Sequence, residues 1–184
     1  MSKITFKNDK LEIDFYENFI SEKEAKILLK ELAMIISPVG NKRVCKLFGN
    51  EDIVYTVTYF GKTSTKTVYP WFESLLKIRD KISAETGEKY TVCAIQMYPN
   101  GNVGINPHRD KEMIKGTMIC GLSIGSTRTL SMTKGFAKTK EIDIKLNSGS
   151  LYILKPPTND IWAHCIKKDL KSSGVRYSLT FRNY

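Results

Sequence analysis

Two histidines and one aspartate are the residues of this chain whose types and spacing suit metal chemistry. His108 and Asp110 stand two residues apart in the segment INPHRDKEM, and His164, the second of only two histidines, stands in DIWAHCIKK. Residues two apart on a β-strand point to the same face, so His108 and Asp110 can present an imidazole and a carboxylate together. Two histidines and one carboxylate on one face form the triad that binds non-haem Fe(II) and leaves positions open for substrates.

Two other interpretations of the HRD segment compete with a metal site. In the catalytic loop of protein kinases, an asparagine follows the aspartate by five residues. That position is Lys115 here, and the chain contains no D-F-G motif, so a phosphotransfer loop is excluded. A solvated loop of charges, with His164 buried elsewhere, remains compatible with the H-x-D spacing alone.

The segment GVRYSLTFRNY predicts a strand with one wholly polar face. Alternation places one group of residues on that face: Arg176, Ser178, Thr180 and Arg182. Two guanidinium groups that point into a barrel are costly without anions to pair with. A dicarboxylate cosubstrate would pair with both through bidentate contacts. The alternative is an edge strand whose polar face meets water.

The elements that must position these residues follow from the periodicity of the N-terminal half. LEIDFYENF and DIVYTVTYF have strand patterns, and SEKEAKILLKELAMII has the pattern of a helix. Ser21 and Glu24 form a capping box at its start. The apolar stripe of this helix comprises Ile27, Leu28, Leu32, Ile35 and Ile36. Pro70 is expected to open a second helix, WFESLLKIRDKISAET, which ends near Gly87.

Short β-prone runs alternate with turn signals after Gly87. The eight runs are YTVCAIQMY, NVGIN, GTMICGLSIG, RTLSMT, EIDIKL, SLYILK, IWAHCIK and VRYSLTFR. So many short strands in under 100 residues predict a sandwich or barrel of the jelly-roll type. The fold class is therefore α+β, mainly β in the C-terminal half, with the two helices packed on one sheet as an N-terminal extension.

Composition places the chain among single-domain globular proteins. A length of 184 residues suggests one domain, and no apolar run is long enough to span a bilayer. The start, MSKITFKNDK, lacks the apolar region of a signal peptide. Four widely spaced cysteines argue against a disulfide framework and predict reduced, mostly buried thiols. We therefore expect an intracellular monomer, in the nucleus or the cytoplasm, that has no membrane partner.

The formal net charge of +10 indicates a polyanionic partner, of which nucleic acid is the most common. The lysines are scattered and form no basic tail, so the field would come from a folded face. Charge does not separate DNA from RNA, but it argues against a protein substrate.

Taken together, these segments resemble the AlkB family of Fe(II)- and 2-oxoglutarate-dependent dioxygenases, and its nucleic-acid repair branch most closely. The resemblance runs from about Arg43 to Tyr184. It is carried, in order and spacing, by AIQMYPNGNVGINPHRDKEM, SIGSTRTLSM, NSGSLYILKPPTNDIWAH and RYSLTFR. It implies a double-stranded β-helix over residues 89–184 and an N-terminal extension, residues 1–88, that contains a nucleotide-recognition lid.

The resemblance also implies roles for the residues at the site. His108, Asp110 and His164 would hold Fe(II), and Arg176 and Arg182 would hold the cosubstrate 2-oxoglutarate. Tyr98 would donate a hydrogen bond to 2-oxoglutarate. The family has asparagine where this chain has Gln96 and Ser178, so the resemblance leaves the hydrogen bonds of these two positions to the cosubstrate open.

Four residues are expected to contact the substrate base. Glu112 follows Asp110 by two residues, and its carboxylate would accept a hydrogen bond from the exocyclic amine of adenine or cytosine. The segment YTVTYFG resembles the family's lid, but Val57 stands where an aromatic residue is expected. Tyr55, Tyr59 or Phe60 would then stack on the base; strand packing is the alternative for all three.

The implied reaction uses Fe(II), O2 and 2-oxoglutarate. Methyl groups on base nitrogens, as in 1-methyladenine and 3-methylcytosine, would leave as formaldehyde while 2-oxoglutarate is converted to succinate. A base inside a duplex cannot reach such a pocket, so the substrate is a single strand or a flipped-out base. The same chemistry on RNA or on a protein side chain, and a non-catalytic jelly-roll binding module, are the alternatives.

Overall fold

The computed structural model describes residues 2–59, 61–134 and 142–184. The helices within these ranges are α1 (Glu22–Ile35), α2 (Glu73–Thr86) and α3 (Thr158–Ile161). The first strands are β1 (Lys3–Asn8), β2 (Leu11–Tyr16), β3 (Val44–Gly49), β4 (Tyr55–Tyr59), β5 (Lys62–Lys66) and β6 (Val68–Pro70). The later strands are β7 (Val92–Tyr98), β8 (Ile105–His108), β9 (Ile119–Gly125), β10 (Arg128–Lys134), β11 (Ile142–Leu146), β12 (Leu151–Leu154), β13 (Trp162–Ile166) and β14 (Arg176–Arg182).

Two main sheets form the body of the molecule, as the sequence predicts. The larger sheet has the order β1-β2-β12-β9-β14-β7-β3-β6, and the smaller has the order β11-β10-β13-β8. Apolar side chains of both sheets, such as Leu130, Trp162 and Leu154, pack into one core cluster between them. All eight predicted C-terminal strands are present, so the jelly-roll prediction is confirmed.

The two long helices cover the outer face of the larger sheet. Leu28 and Leu32 of α1 and Leu75 of α2 join a second core cluster with the apolar face of β14. The capping box of α1 is confirmed, because Ser21 Oγ accepts from the backbone of Glu24 while the Glu24 carboxylate accepts from the backbone of Ser21.

Two details of the helix predictions are wrong. Ile27 lies outside the apolar stripe and is 57% exposed. Pro70 does not open the second helix; it ends β6, which pairs in parallel with β3 at the edge of the sheet. An edge strand tolerates proline because its outer side needs no backbone donor. The helix begins only at Glu73 and ends, as predicted, at Gly87 in the left-handed conformation.

Strands from the N-terminal segment are integral to the larger sheet. β2 lies between β1 and β12, and β3 lies between β7 and β6. The division into an extension of residues 1–88 and a core of residues 89–184 remains a prediction. β4 and β5 form a separate two-stranded hairpin.

The strand that carries both arginines lies in the centre of the larger sheet. β14 pairs with β7 on one side and with β9 on the other, and all seven of its residues are buried. The alternative of an edge strand in contact with water is therefore wrong.

No helix in the described ranges is long and apolar enough to cross a membrane. All four cysteines are free thiols, of which Cys93, Cys120 and Cys165 are buried and Cys45 is exposed.

Candidate metal centre and adjoining cavities

The fold brings His108, Asp110 and His164 together. β8 and β13 are antiparallel neighbours, and their register places His164 opposite His108. The two imidazole centroids are 4.4 Å apart. His108 Nε2 lies 3.7 Å from Asp110 Oδ1, and His164 Nε2 lies 4.0 Å from Asp110 Oδ2. One potential ligand atom from each residue lies within 4.8 Å of the others, so the three side chains can bind one metal ion.

A hydrogen bond at His108 and burial at His164 each favour metal binding by these histidines. His108 Nδ1 lies 2.9 Å from the carbonyl oxygen of Asn106. Because a carbonyl only accepts, this hydrogen bond places the proton on Nδ1 and leaves the Nε2 lone pair for a metal. Burial lowers the pKa of His164 to about 4; Asp110 opposes this shift, and the cationic Arg182 adds to it. His164 is therefore neutral at pH 7, the state that binds metals.

The prediction that His108 and Asp110 lie on one strand is only half correct. β8 ends at His108, so Asp110 lies beyond the strand, in the loop that leads to β9. Its carboxylate reaches the histidines nonetheless and is almost wholly buried. Hydrogen bonds between the side-chain amide of Asn159 and the backbone of Asp110, and not a strand ladder, hold the residue in this position.

Arg182 is the cationic partner of Asp110. Arg182 Nε lies 3.3 Å from Asp110 Oδ2, in an orientation that leaves both atoms without a hydrogen bond among the described residues. Burial favours the neutral acid, but Arg182 and the two histidines outweigh it and hold the pKa of Asp110 below its usual value. The carboxylate is thus ionised, as a metal ligand must be.

Arg176 is a buried cation without a carboxylate partner in the described part of the chain. Its Nε donates to Ser123 Oγ at 3.0 Å, and its Nη2 lies 3.4 Å from Ser178 Oγ. Its guanidinium carbon lies 5.3 Å from the ring centroid of Tyr98, and Nη1 has no hydrogen-bond partner there. Burial lowers the pKa of Arg176, because its charged form is poorly solvated inside the protein. An anion with two oxygens would satisfy this group.

The polar face of β14 opens onto an inner cavity beside the triad. The lining includes the predicted cosubstrate residues Gln96, Tyr98, Ser178 and Arg182. Gln96 Oε1 accepts from Tyr98 Oη at 2.9 Å and from Arg43 Nη1 at 2.8 Å. Burial raises the pKa of Tyr98, so its hydroxyl remains a donor at neutral pH.

Tyr152 and Ser123 belong to this site but were missed in the sequence. Tyr152 lines the inner cavity, and burial raises the pKa of its hydroxyl to about 12. Its ring crosses Gly121 of β9, where any side chain would collide with it. The available signal was a polar residue inside an apolar run: tyrosine in SLYILK and serine in GLSIG.

A larger outer cavity of about 620 Å³ adjoins the triad on the solvent side. His108, Asp110 and Arg182 form its floor, and Glu112 and Tyr55 lie in its wall. Three cations, Arg43, Lys46 and Lys66, line its rim. The strand does not persist to Glu112, which lies in the loop after β8, but the loop still places this residue at the cavity.

Of the aromatic residues expected to contact a base, only Tyr55 can be located in full. Its ring stacks on Tyr184 at 4.5 Å between centroids, and its hydroxyl lies 3.5 Å from Arg182 Nη1. Burial raises its pKa to about 12. One face of the Tyr55 ring is therefore already covered by protein. Phe60 and the side chain of Tyr59 lie outside the described residues, and their roles stay predictions.

Comparison with known proteins assigns the class. A model of the 2OG-Fe(II) oxygenase superfamily matches residues 13–182. The chain belongs to the 2OG-Fe(II) oxygenase superfamily.

Within that superfamily, its relatives are AlkB homologues, which confirms the resemblance found in the motifs. The chain is 31% identical to mouse "DNA oxidative demethylase ALKBH2" over 140 residues, which are 71% of this chain and 58% of the relative. It is 27% identical to human "Alpha-ketoglutarate-dependent dioxygenase alkB homolog 3" in an alignment of 188 positions that covers 91% of this chain and 64% of the relative. The chain thus spans less than two thirds of the length of these two relatives.

A solved structure shows the same fold. The chain titled "The structure of OsALKBH1" superposes with a TM-score of 0.67 at 13% identity, covering 97% of this chain and 99% of that one.

Proposed function

We propose that this protein removes methyl groups from alkylated bases of nucleic acids, with 1-methyladenine and 3-methylcytosine as substrates. The observation that carries the proposal is a His-Asp-His cluster that lines the same inner cavity as the polar face of β14, the strand that also carries the buried Arg176. The mouse relative bears the name of a DNA oxidative demethylase, which supports the substrate class. The proposal includes action as a monomer inside the cell.

The residues present fit an iron ion. Asp110 Oδ2 is a buried polar atom without a hydrogen-bond partner among the described residues, and it lies 4.0 Å from His164 Nε2. Two neutral imidazoles and one carboxylate are the donor set of non-haem Fe(II) sites. His108, Asp110 and His164 would therefore hold Fe(II).

The residues beyond the triad fit 2-oxoglutarate. Arg176 offers an unpaired Nη1 at the far end of the polar face of β14, and Arg182 stands beside the ligand Asp110 at the near end. Arg176 would pair with one carboxylate of the cosubstrate, and the Tyr98 hydroxyl, which donates to Gln96 Oε1 in this structure, would donate to that carboxylate instead. When bound, Fe(II) and 2-oxoglutarate supply the oxidation, in which O2 is consumed, succinate and CO2 form, and the methyl group leaves as formaldehyde.

The outer cavity fits a methylated base on a phosphate backbone. The cations of its rim would attract the backbone, as expected from the net charge of +10. Glu112 in its wall would accept a hydrogen bond from an exocyclic amine and favour the positive charge that methylation gives to adenine N1 or cytosine N3. The base must leave a duplex to enter, so single strands or flipped-out bases are the substrates.

A panel of methylated substrates tests the proposal. The protein would be assayed with Fe(II) and 2-oxoglutarate on methylated DNA and RNA oligonucleotides and on a methylated lysine peptide, with formaldehyde and succinate as readouts. Formaldehyde from the oligonucleotides is expected, and the alanine variants of His108, Asp110 and His164 should release none while remaining folded. Formaldehyde from the peptide alone would refute the substrate class. Absence of succinate under all conditions would indicate a non-catalytic binding module.

A further inference from the structure

Asp110 needs support that its own strand does not supply. β8 ends at His108, and the chain from Arg109 to Met118 has no strand ladder before β9 begins at Ile119. A ligand in such a segment would have a free choice of backbone angles unless other groups fix them. Because the metal geometry tolerates little displacement, the backbone at Asp110 must be fixed by side chains.

Asn159 fixes this backbone with one amide group. Its Oδ1 accepts the backbone N–H of Asp110 at 3.0 Å, and its Nδ2 donates to the backbone carbonyl of Asp110 at 2.7 Å. A paired residue on an antiparallel strand makes the same two contacts. The carboxamide of Asn159 therefore replaces the missing strand neighbour at the one ligand that lies outside a strand.

The turn that carries Asn159 is itself anchored. Thr158 is fully buried, and its hydroxyl accepts from the backbone N–H of Glu12 at 2.8 Å and donates to the Glu12 carbonyl at 3.1 Å. On the other side, Arg109 Nη1 donates to the backbone carbonyl of Asp160. The turn is thus held between β2 and the loop of Asp110, and the strand of His164 begins just after it.

We propose that Asn159 is a positioning residue for the metal site, which sets the orientation of the Asp110 carboxylate relative to His164. The inference rests on the proposed function only in so far as the triad binds a divalent metal ion. The amide is required in both of its halves, because an aspartate at this position would meet the carbonyl of Asp110 with an acceptor and an alanine would leave both backbone groups unpaired.

Metal affinity tests this inference without turnover. The dissociation constant of Mn²⁺ would be measured from the EPR signal of the free ion for the natural protein, Asn159→Ala and the isosteric Asn159→Asp. The matched control is Asp160→Asn, which alters the exposed neighbouring side chain and keeps the backbone carbonyl that Arg109 contacts. Thermal unfolding of each variant without metal would report the fold.

We expect Mn²⁺ binding to weaken by about 10- to 100-fold in both Asn159 variants, as is typical when a group that orients a ligand is removed. Asp160→Asn should bind as the natural protein does, and all unfolding midpoints should stay close together. Unchanged affinity in Asn159→Ala, an equal loss in Asp160→Asn, or no Mn²⁺ binding by the natural protein would overturn the inference. If the natural protein binds Mn²⁺ but demethylates no base, the proposed function fails while the role of Asn159 stands.

Discussion

At the scale of single residues, the triad was predictable because histidine is scarce in this chain and the surrounding motifs resemble those of a known family. Only two histidines exist, so a triad with Asp110 had one possible composition. The contacts of that triad were not predictable. The ion pair between Asp110 and Arg182 joins a loop to a strand 72 residues later and exists only because of the sheet order. The support from Asn159 has the same origin.

Arg176 supplies the first prediction at this scale. Replacing it by alanine removes the cation that would pair with a carboxylate of 2-oxoglutarate, at a cost of about 3–5 kcal/mol for a broken buried pair. The KM for 2-oxoglutarate in succinate formation should therefore rise by roughly 10²- to 10⁴-fold. Arg176→Lys retains the charge but not the planar fork, so its KM should lie between those of the natural protein and Arg176→Ala. A KM that stays the same in both variants would show that Arg176 serves another anion.

Glu112 supplies the second. Replacing it by alanine removes an acceptor from the wall of the outer cavity and leaves the triad intact. Demethylation of 1-methyladenine and 3-methylcytosine should lose about 1–3 kcal/mol of transition-state stabilisation. Mn²⁺ affinity and succinate formation without nucleic acid should be unaffected. These measurements distinguish a residue that contacts the base from one that supports the metal site. If succinate formation without nucleic acid falls together with demethylation, Glu112 supports the metal site.

At the scale of secondary-structure elements, periodicity predicted the eight C-terminal strands because most of them alternate or run apolar between clear turns. It gave no prediction for β1, β3, β5 or β6. Of these, β1, β5 and β6 are short or polar and acquire strand structure from their partners, and β3 pairs with β7 on one side and β6 on the other. The start of α2 was predicted before its actual start at Glu73, because proline is common both at helix starts and at sheet edges. Only the pairing of β6 with β3 shows that Pro70 lies at a sheet edge.

The hairpin of β4 and β5 supplies the prediction at this scale. Tyr184 holds it to the body, because its ring stacks on Tyr55 and its hydroxyl accepts the backbone N–H of Thr56 at 2.8 Å. A two-stranded hairpin is only marginally stable by itself. Tyr184→Ala should therefore remove about 1–3 kcal/mol of local stability, measured as faster hydrogen exchange of the hairpin amides.

The matched variant for the hairpin is Tyr184→Phe, which keeps the stacked ring and loses the hydrogen bonds, so its exchange should be intermediate. Amides of β9 and β14 serve as the internal reference and should not change. Equal exchange of the hairpin in all three proteins would show that Tyr184 does not hold it.

At the scale of the whole molecule, length and composition predicted one globular domain, and the sheet order lay beyond any sequence argument. Contacts such as β2 with β12 join residues more than 130 positions apart, and no local pattern encodes them. The net charge of +10, in contrast, is fixed by composition, and the fold places part of it at the rim of the outer cavity.

Binding to single-stranded oligonucleotides supplies the prediction at this scale. The logarithm of the association constant should fall linearly with the logarithm of salt concentration, with a slope of about −0.7 for each phosphate neutralised. Fluorescence anisotropy over a range of salt concentrations measures this slope. An oligonucleotide of the same bases on an uncharged backbone is the control and should show almost no dependence. Equal slopes for both ligands would remove the phosphate backbone as a partner.

The central position of β14 has a consequence for how the molecule is made. Without β14 the larger sheet separates into two parts, β1-β2-β12-β9 and β7-β3-β6, because β14 is the only element that joins them among the described residues. A ribosome that adds about 5–20 residues per second needs on the order of 3–10 s to go from the end of β9 at Gly125 to the start of β14 at Arg176. During that interval the nascent chain carries unpaired sheet edges and an uncovered apolar face beneath its helices. The strand that brings the arginines to the cavity is thus also the one that ends the aggregation-prone phase of synthesis.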